Sequence, residues 1–337
     1  MGNTVVWKPA SSSVLSNWVL MRLYEAAGLP PGVINFVPGS ARAVSAGMLS
    51  RPDLAGLHFT GSTAVFNSLW KGIADNLSSY RAYPRLIGET GGKDFILVHP
   101  DADEDAALAA CVRGAFEYQG QKCSAASRLY VPRSSAKPFV ERLAAEISSL
   151  RVGSPTDHGN FVNAVIDEAA FDAIVGYIER ARTDTSCRIV AGGTYDKSEG
   201  FFIAPTLIVS DDPRSEPMAQ EIFGPVLTAY AYDESDMAAA YALVDSTSPY
   251  ALTGAVFARD RADIVAATGA LRHAAGNFYI NDKPTGAVVG RQPFGGARGS
   301  GTNDKAGSFL NLVRWTSPRT IKENFAPARD WRYPFLG

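Results

Sequence analysis

The alternation of short apolar runs with amphipathic segments over the first ninety or so residues constrains the fold most strongly. Residues 4–7 read as a buried strand and residues 12–27 as a helix whose leading serines suit N-capping. After the Pro30-Pro31 break come a strand over 32–37, a helix over 41–49 and a short strand at Leu57-His58-Phe59. Residues 62–77 form the next helix, with Val65, Leu69 and Ile73 as its apolar face. Strands alternating with helices predict a parallel, doubly wound sheet.

From Asp94 onward the rhythm changes but stays mixed. Strands are expected at 95–98, 128–131, 188–191, 206–208 and 277–280. Helices are expected at 106–116, 137–150, 171–182, 235–244 and 261–270, with Ser235 as a cap. Residues 310–315 read as a strand leaving this second α/β unit. The chain shows no internal repeat and no low-complexity segment.

At 337 residues, with 46% apolar and 20% charged side chains, the composition is that of a globular protein with more than one domain. The net charge is −2, from 32 basic and 34 acidic residues, and no basic stripe suggests nucleic acid. Apolar stretches such as 250–257 are far too short to span a bilayer. Cys111, Cys123 and Cys187 are few, odd in number and widely spaced, with no CxxC or Cys/His cluster. Neither a disulfide framework nor a metal site is expected, and a reducing compartment is. That compartment is the cytoplasm by default, or the mitochondrial matrix if a targeting segment precedes Met1. The first residues do not themselves read as a signal or transit peptide.

Chemistry concentrates in a few glycine-flanked segments. A lone cysteine is most often a small buried apolar residue, but Cys123 stands in Gly120-Gln121-Lys122-Cys123-Ser124-Ala125, which is not a core setting. A free thiol at neutral pH is mostly protonated, so the site must supply backbone N–H groups or a cation, with Lys122 a candidate if it points inward. Glu89, in Gly88-Glu89-Thr90-Gly91-Gly92-Lys93, would be an unremarkable solvated glutamate without glycines that allow close approach of backbone or ligand. Together a thiol and a carboxylate suit a two-stage reaction at a carbonyl: sulfur attacks, and the carboxylate later activates water against the thioester. No histidine adjoins Cys123, so a protease-like pair has no direct support.

Phe59-Thr60-Gly61-Ser62 ends a strand and opens a helix, where N–H groups can hold phosphate or simply be capped. Lys8, just after the first strand, could reach a ribose hydroxyl or lie in solvent. Glu221 and Phe223, two apart in Glu221-Ile222-Phe223-Gly224-Pro225-Val226, would share one side if extended; the plainer reading is a solvent-facing strand edge. Residues 286–296 read as a long Gly-rich loop, functional or merely mobile, with free backbone N–H groups and the Phe294 ring.

In combination these segments resemble the aldehyde dehydrogenase superfamily, in order and over essentially the whole chain. The match rests on Phe59-Thr60-Gly61-Ser62, Gly88 to Lys93, Gly120-Gln121-Lys122-Cys123 and Glu221-Ile222-Phe223-Gly224-Pro225. Residues 116–125, Phe278-Tyr279-Ile280-Asn281-Asp282-Lys283, 292–298 and Gly301-Thr302-Asn303-Asp304-Lys305 resemble the branch acting on glutamate γ-semialdehyde.

The resemblance implies an α/β fold with a partial doubly wound NAD-binding domain (1–91), an α/β catalytic domain (92–296) and a C-terminal segment with an oligomerisation strand (297–337). It implies Cys123 as nucleophile and Glu89 as base. Lys8 and Glu221 would hold the cofactor riboses, Gly61 and Ser62 the pyrophosphate, and Phe223 the nicotinamide side. Ser124, Gly286, Ala287 and Phe294 would hold the amino-acid end of the substrate. NAD is the expected cofactor; Ser11, where other branches carry an acidic residue, leaves NADP open. A homo-oligomer and a proline dehydrogenase partner are expected. Family members carry a further N-terminal region, including an asparagine of the oxyanion hole, ahead of the position of Met1. The alternatives are a catalytically silent subunit and a dehydrogenase of another semialdehyde.

Overall fold

Asp94–Val98 (β5) is a run of apolar residues behind one acid, and every one of its residues is buried, as expected of a central parallel strand covered on both faces. A computed structural model, describing all 337 residues, places it in a seven-stranded sheet. The neighbours are β6 (Ala126–Pro132), β11 (Val226–Tyr232), β10 (Thr206–Ser210) and β7 (Cys187–Ala191) on one side. On the other lie β13 (Thr253–Phe257) and β14 (Asn277–Ile280). All pairings are parallel except the edge pair β10–β7.

Alternate side chains of β5 point to opposite faces and build two cores. Ile96 and Val98 pack with Phe116 of α4 (Glu104–Phe116) and with Phe139 and Leu143 of α5 (Ala136–Ser149). Phe95 and Leu97 pack with Tyr241 and Val244 of α8 (Met237–Ser246) and Ile264 of α9 (Arg261–Ala270). A third cluster sets Phe171, Ile174 and Ile178 of α6 (Glu168–Thr183) on Ile208, Ile222 and Val226. Short elements complete this part: a β8–β9 hairpin (Tyr195–Asp196 with Phe202–Ile203), α7 (Glu216–Ala219), and β12 (Tyr250–Ala251) against β15 (Ala297–Arg298).

Ahead of it, β1 (Val5–Trp7) pairs in parallel with β2 (Ile34–Phe36), and β3 (Gly56–Thr60) with β4 (Arg85–Glu89). Helices α1 (Val14–Ala26), α2 (Ala41–Leu49) and α3 (Thr63–Asp75) connect them. The expected alternation is present, in two separate two-stranded ladders rather than one continuous sheet. The first strand is not buried as expected: Val5 is 44% and Val6 57% exposed, on opposite faces of a strand with a single neighbour.

Four local expectations are corrected. The apolar face of α3 is Phe66, Leu69 and Ile73, whereas Val65 is exposed. A 3.6 period admits either residue, and the ring slot under Gly88 decides for Phe66, since a Cβ on Gly88 would lie 2.4 Å from its ring. Asp236, not Ser235, caps α8, accepting from the Ala239 N–H at 2.9 Å; Ser235 is held by Asp233. No serine side chain caps the 12–27 helix: the Ser13 hydroxyl instead accepts from the Asn17 amide at 2.9 Å. Residues 310–315 are no strand but fall mostly in α10 (Phe309–Val313), followed by Trp315, whose indole N–H donates to Asn311 at 3.2 Å. That run is too short to reveal its own period. β4, β11 and β13 had no strand assigned from local pattern; Glu221 to Phe223, read as a solvent-facing strand edge, are not strand but lead into β11, which is an interior, buried strand.

Gly254 on β13 faces Phe95, and a Cβ there would stand 2.2 Å from the fully buried ring. Gly254→Ala should cost about 1–3 kcal/mol in denaturant unfolding through overpacking. An unchanged midpoint would show that the ring has room to move.

Candidate active site

Glu89 ends β4, and a distant segment fixes that strand end. The Gly88 N–H donates to the Thr302 hydroxyl at 3.1 Å, and the Thr90 N–H to the Ser300 carbonyl at 3.0 Å. The Thr90 hydroxyl donates to the Gly299 carbonyl at 2.8 Å, and Glu89 itself bridges to Gly301. Gly301 has φ +124°, and a Cβ there would fall 2.1 Å from the Gly88 carbonyl oxygen, so only glycine suits the clamp. Glu89 is 5% exposed and neither carboxyl oxygen has a partner in the protein. Burial pushes its pKa up to about 7; Asp304 adds to the rise, and Lys305 opposes it.

Cys123 is delivered by a reversal between α4 and β6. Tyr118 and Gln119 both take left-handed conformations (φ 57° and 59°), so the chain turns back and presents Cys123 just ahead of β6. Opposite lies Gly92, where a Cβ would stand 2.1 Å from the Cys123 carbonyl oxygen. The Gly92 N–H donates to Glu221 Oε1 at 2.8 Å, and a Cβ on Gly91 would meet Glu221 Oε2 at 2.4 Å. Burial, reinforced by Asp94, Glu89 and Glu221, pushes the Cys123 thiol up to about 12. The expected inward cation is not Lys122: its ammonium lies 3.1 Å from Glu117, which also receives Lys283. Cys123 therefore rests as a thiol among three carboxylates.

Those carboxylates are not equivalent. Asp94 Oδ1 accepts the Thr253 N–H at 2.7 Å and Glu221 accepts Gly92, whereas Glu89 accepts nothing. Burial raises all three, Asp94 to about 8. Beside them Lys93 is fully buried, its ammonium without a hydrogen-bond partner and pulled down to about 7 by burial. The Arg128 guanidinium, equally buried, donates to the Lys93 carbonyl at 2.7 Å and the Val244 carbonyl at 3.0 Å. Asp94, Arg128, Thr285 and Lys305 carry no role in the sequence reading. The signal available for the first was an acid heading a wholly apolar run.

The remaining expected residues fall into two groups. Ser124 is buried with its hydroxyl 2.7 Å from that of Thr285, which brings it beside the turn at Gly286 (φ +89°) and Ala287. Phe294 is half-buried and its N–H donates to Ala306 at 3.0 Å. Lys8 follows β1, while Gly61 and Ser62 follow β3, so both sets lie at carboxyl ends of parallel strands. Ser62 caps α3 through the Val65 N–H at 3.4 Å. Thr63 links that helix start to the catalytic loop, accepting from the Gly91 N–H at 3.4 Å and donating to the Gly299 carbonyl at 2.8 Å. Glu221 is drawn to Gly92 rather than to Lys8, and Phe223 is 44% exposed in a left-handed conformation (φ 57°), strain of the kind stored at ligand sites.

Glu89 keeps its proton in the folded chain to higher pH than in the unfolded one. Its contribution to stability is full below about pH 4.5 and lost as pH rises through about 7. Glu89→Gln does not titrate, so between pH 4.5 and 8 unfolding should shift in the variant's favour by about 2 kcal/mol after allowance for screening. Parallel pH profiles would deny the displacement. The raised thiol makes a second expectation: alkylation of Cys123 by iodoacetamide rises about tenfold per pH unit from 7 to 10, and Glu89→Gln speeds it at pH 9 by removing an anion. An unchanged rate would place Glu89 electrostatically apart from the thiol.

Comparison with known proteins identifies the family. The aldehyde dehydrogenase family model matches residues 1–321. The chain is 52% identical over 338 residues to the mitochondrial delta-1-pyrroline-5-carboxylate dehydrogenase of Dictyostelium discoideum, covering 100% of this chain and 61% of that protein. The crystal structure of the Mycobacterium tuberculosis delta-pyrroline-5-carboxylate dehydrogenase bound with NAD superposes with TM-score 0.93 at 52% identity, covering 100% of this chain and 62% of that one. Proline utilization A from Bdellovibrio bacteriovorus superposes with TM-score 0.89 at 35% identity, over 97% of this chain and 34% of the other. The chain thus spans about 61% of the length of the first curated relative. With the family model matched over nearly its whole length and the fold shared with these structures, the chain belongs to the aldehyde dehydrogenase family.

Proposed function

We propose that this chain oxidises L-glutamate γ-semialdehyde, the open form of 1-pyrroline-5-carboxylate, to L-glutamate with NAD, as a step of proline catabolism. The observation that carries the reading is a half-buried thiol among three carboxylates of which only Glu89 is unpartnered, with its pKa near neutrality. The substrate and cofactor follow those of similar proteins, a delta-1-pyrroline-5-carboxylate dehydrogenase and an NAD complex.

Side chains at Gly91 and Gly92 would strike Glu221 and the Cys123 carbonyl, so glycine at both positions keeps Glu221 beside the thiol. Gly61 and Ser62, exposed at the start of the thirteen-residue helix α3, would face the pyrophosphate. Lys8 and Glu221 would hold riboses, and Phe223 would line the nicotinamide side. When bound, NAD supplies the hydride acceptor. Ser124, supported by Thr285, with Gly286, Ala287 and Phe294, would hold the amino-acid end and aim the aldehyde carbon at Cys123. A thiol held near pKa 12 must lose its proton as it attacks, and Glu89, about half ionised at neutral pH, is the carboxylate free to take it. Once that proton has passed to solvent, the same carboxylate draws a second one from the water that cleaves the Cys123 thioester.

Residues 1–91, 92–296 and 297–337 would act as cofactor part, catalytic domain and C-terminal segment. The chain would work as a homo-oligomer in a reducing compartment, cytoplasm or mitochondrial matrix; the Dictyostelium relative is named mitochondrial. No helix is long and apolar enough to cross a membrane. A proline dehydrogenase would supply its substrate, in line with the likeness to proline utilization A.

Absorbance of NADH formed from glutamate semialdehyde by the purified chain tests the reading, with NADP and succinate semialdehyde as comparisons. Cys123→Ala should abolish turnover, and Glu89→Gln should lower kcat about 10²–10⁴-fold and slow the first turnover as well, because Glu89 serves both proton transfers. No turnover from a folded chain, or equal rates with the comparison aldehyde, would overturn it.

A further inference from the structure

At the end of β5 away from Cys123, His99, Asp101 and Asp263 come together from two distant stretches of chain. We infer that these three side chains bind a divalent first-row transition cation, Zn2+ foremost, which ties the end of β5 to the start of α9. His99 is only 7% exposed, and its Nδ1 has no hydrogen-bond partner. That nitrogen lies 3.2 Å from Asp101 Oδ1 and 3.4 Å from Asp263 Oδ2, and all three atoms fall within 4.8 Å of one another. Ligands about 2.0–2.1 Å from a tetrahedral zinc stand roughly 3.3–3.4 Å apart, which matches both separations from the imidazole.

The surroundings orient the donors. One oxygen of Asp101, Oδ2, accepts the backbone N–H groups of Arg259 and Asp260, which leaves Oδ1, itself unpartnered, turned toward His99. On the far side of the ring Nε2 lies 3.5 Å from the Tyr241 hydroxyl, the kind of outer contact that fixes a metal-bound imidazole. The neighbouring cation, Arg259, is turned away to Asp103 at 3.1 Å. With a neutral imidazole the two aspartates bring two negative charges, which a dication neutralises. One nitrogen and two carboxylate oxygens suit Zn2+ or Mn2+, and affinity order favours zinc. Asp101 and Asp263 are partly exposed (32% and 40%), so water can enter the fourth position. Lying at the other end of β5 from the thiol, this cation would act on stability and not on turnover.

The test uses the full chain carrying Cys123→Ala, so that the reactive thiol does not compete. Co2+ titration followed by visible absorption, then Zn2+ competition and Zn2+ calorimetry, should give one equivalent per chain with micromolar Kd. The Tm should rise with Zn2+ and return with EDTA. His99→Gln and Asp263→Asn should each weaken binding at least about tenfold; Asp263 is exposed enough that its variant should fold if the other does not. No binding below about 1 mM, or equal affinity in Asp263→Asn, would overturn the site. So would a Tm that rises on acidification and ignores the cation, which would identify an imidazolium held between two aspartates.

Discussion

The carbonyl oxygen of Cys123 lies 2.1 Å from where a Cβ of Gly92 would be, and the site takes its shape from that approach. Because Gly92 has no side chain, its N–H can reach the Glu221 carboxylate while the Cys123 backbone passes directly over it. The cysteine turn, the loop that follows Glu89 and the segment before β11 therefore meet at one point. Gly120 is held as closely, with a Cβ 2.3 Å from the Gly224 carbonyl oxygen, so the cysteine turn also meets the segment before β11 directly. Any side chain at either glycine would part them.

Burial then sets the electrostatics. It moves Cys123, Glu89, Asp94 and Lys93 each toward the uncharged form, because none has enough partners to replace water. The result is a site with little fixed charge on its reacting groups. β5 carries a titratable cluster at each end: Asp94 beside the thiol, and His99 beside Asp101 and Asp263.

Much of the secondary structure was legible because it depends on local periodicity. Helices such as Ala41–Leu49 and Arg261–Ala270, and the strand Asn277–Ile280, have their own patterns and ends. What failed locally were choices between equivalent faces and short runs. Val65 and Phe66 fit the same period, Ser235 and Asp236 are both good caps, and the apolar run near Leu310 carries no period of its own. The interior position of β11 was hidden because burial on both faces is decided by which strands flank it.

Cys123 and Glu89 could be singled out from sequence because glycines on either side mark backbone that must come close to something. The types of residue, their glycine flanks and the strand–helix alternation are properties of the chain itself, so the sequence alone determined the family and the chemical groups on offer. Only the tertiary structure decided their states. It turned Lys122 away to Glu117, brought Asp94 and Glu221 to the thiol, left Glu89 without a partner, and joined His99 to Asp263. Those outcomes depend on burial and on contacts between distant segments, which no local pattern encodes.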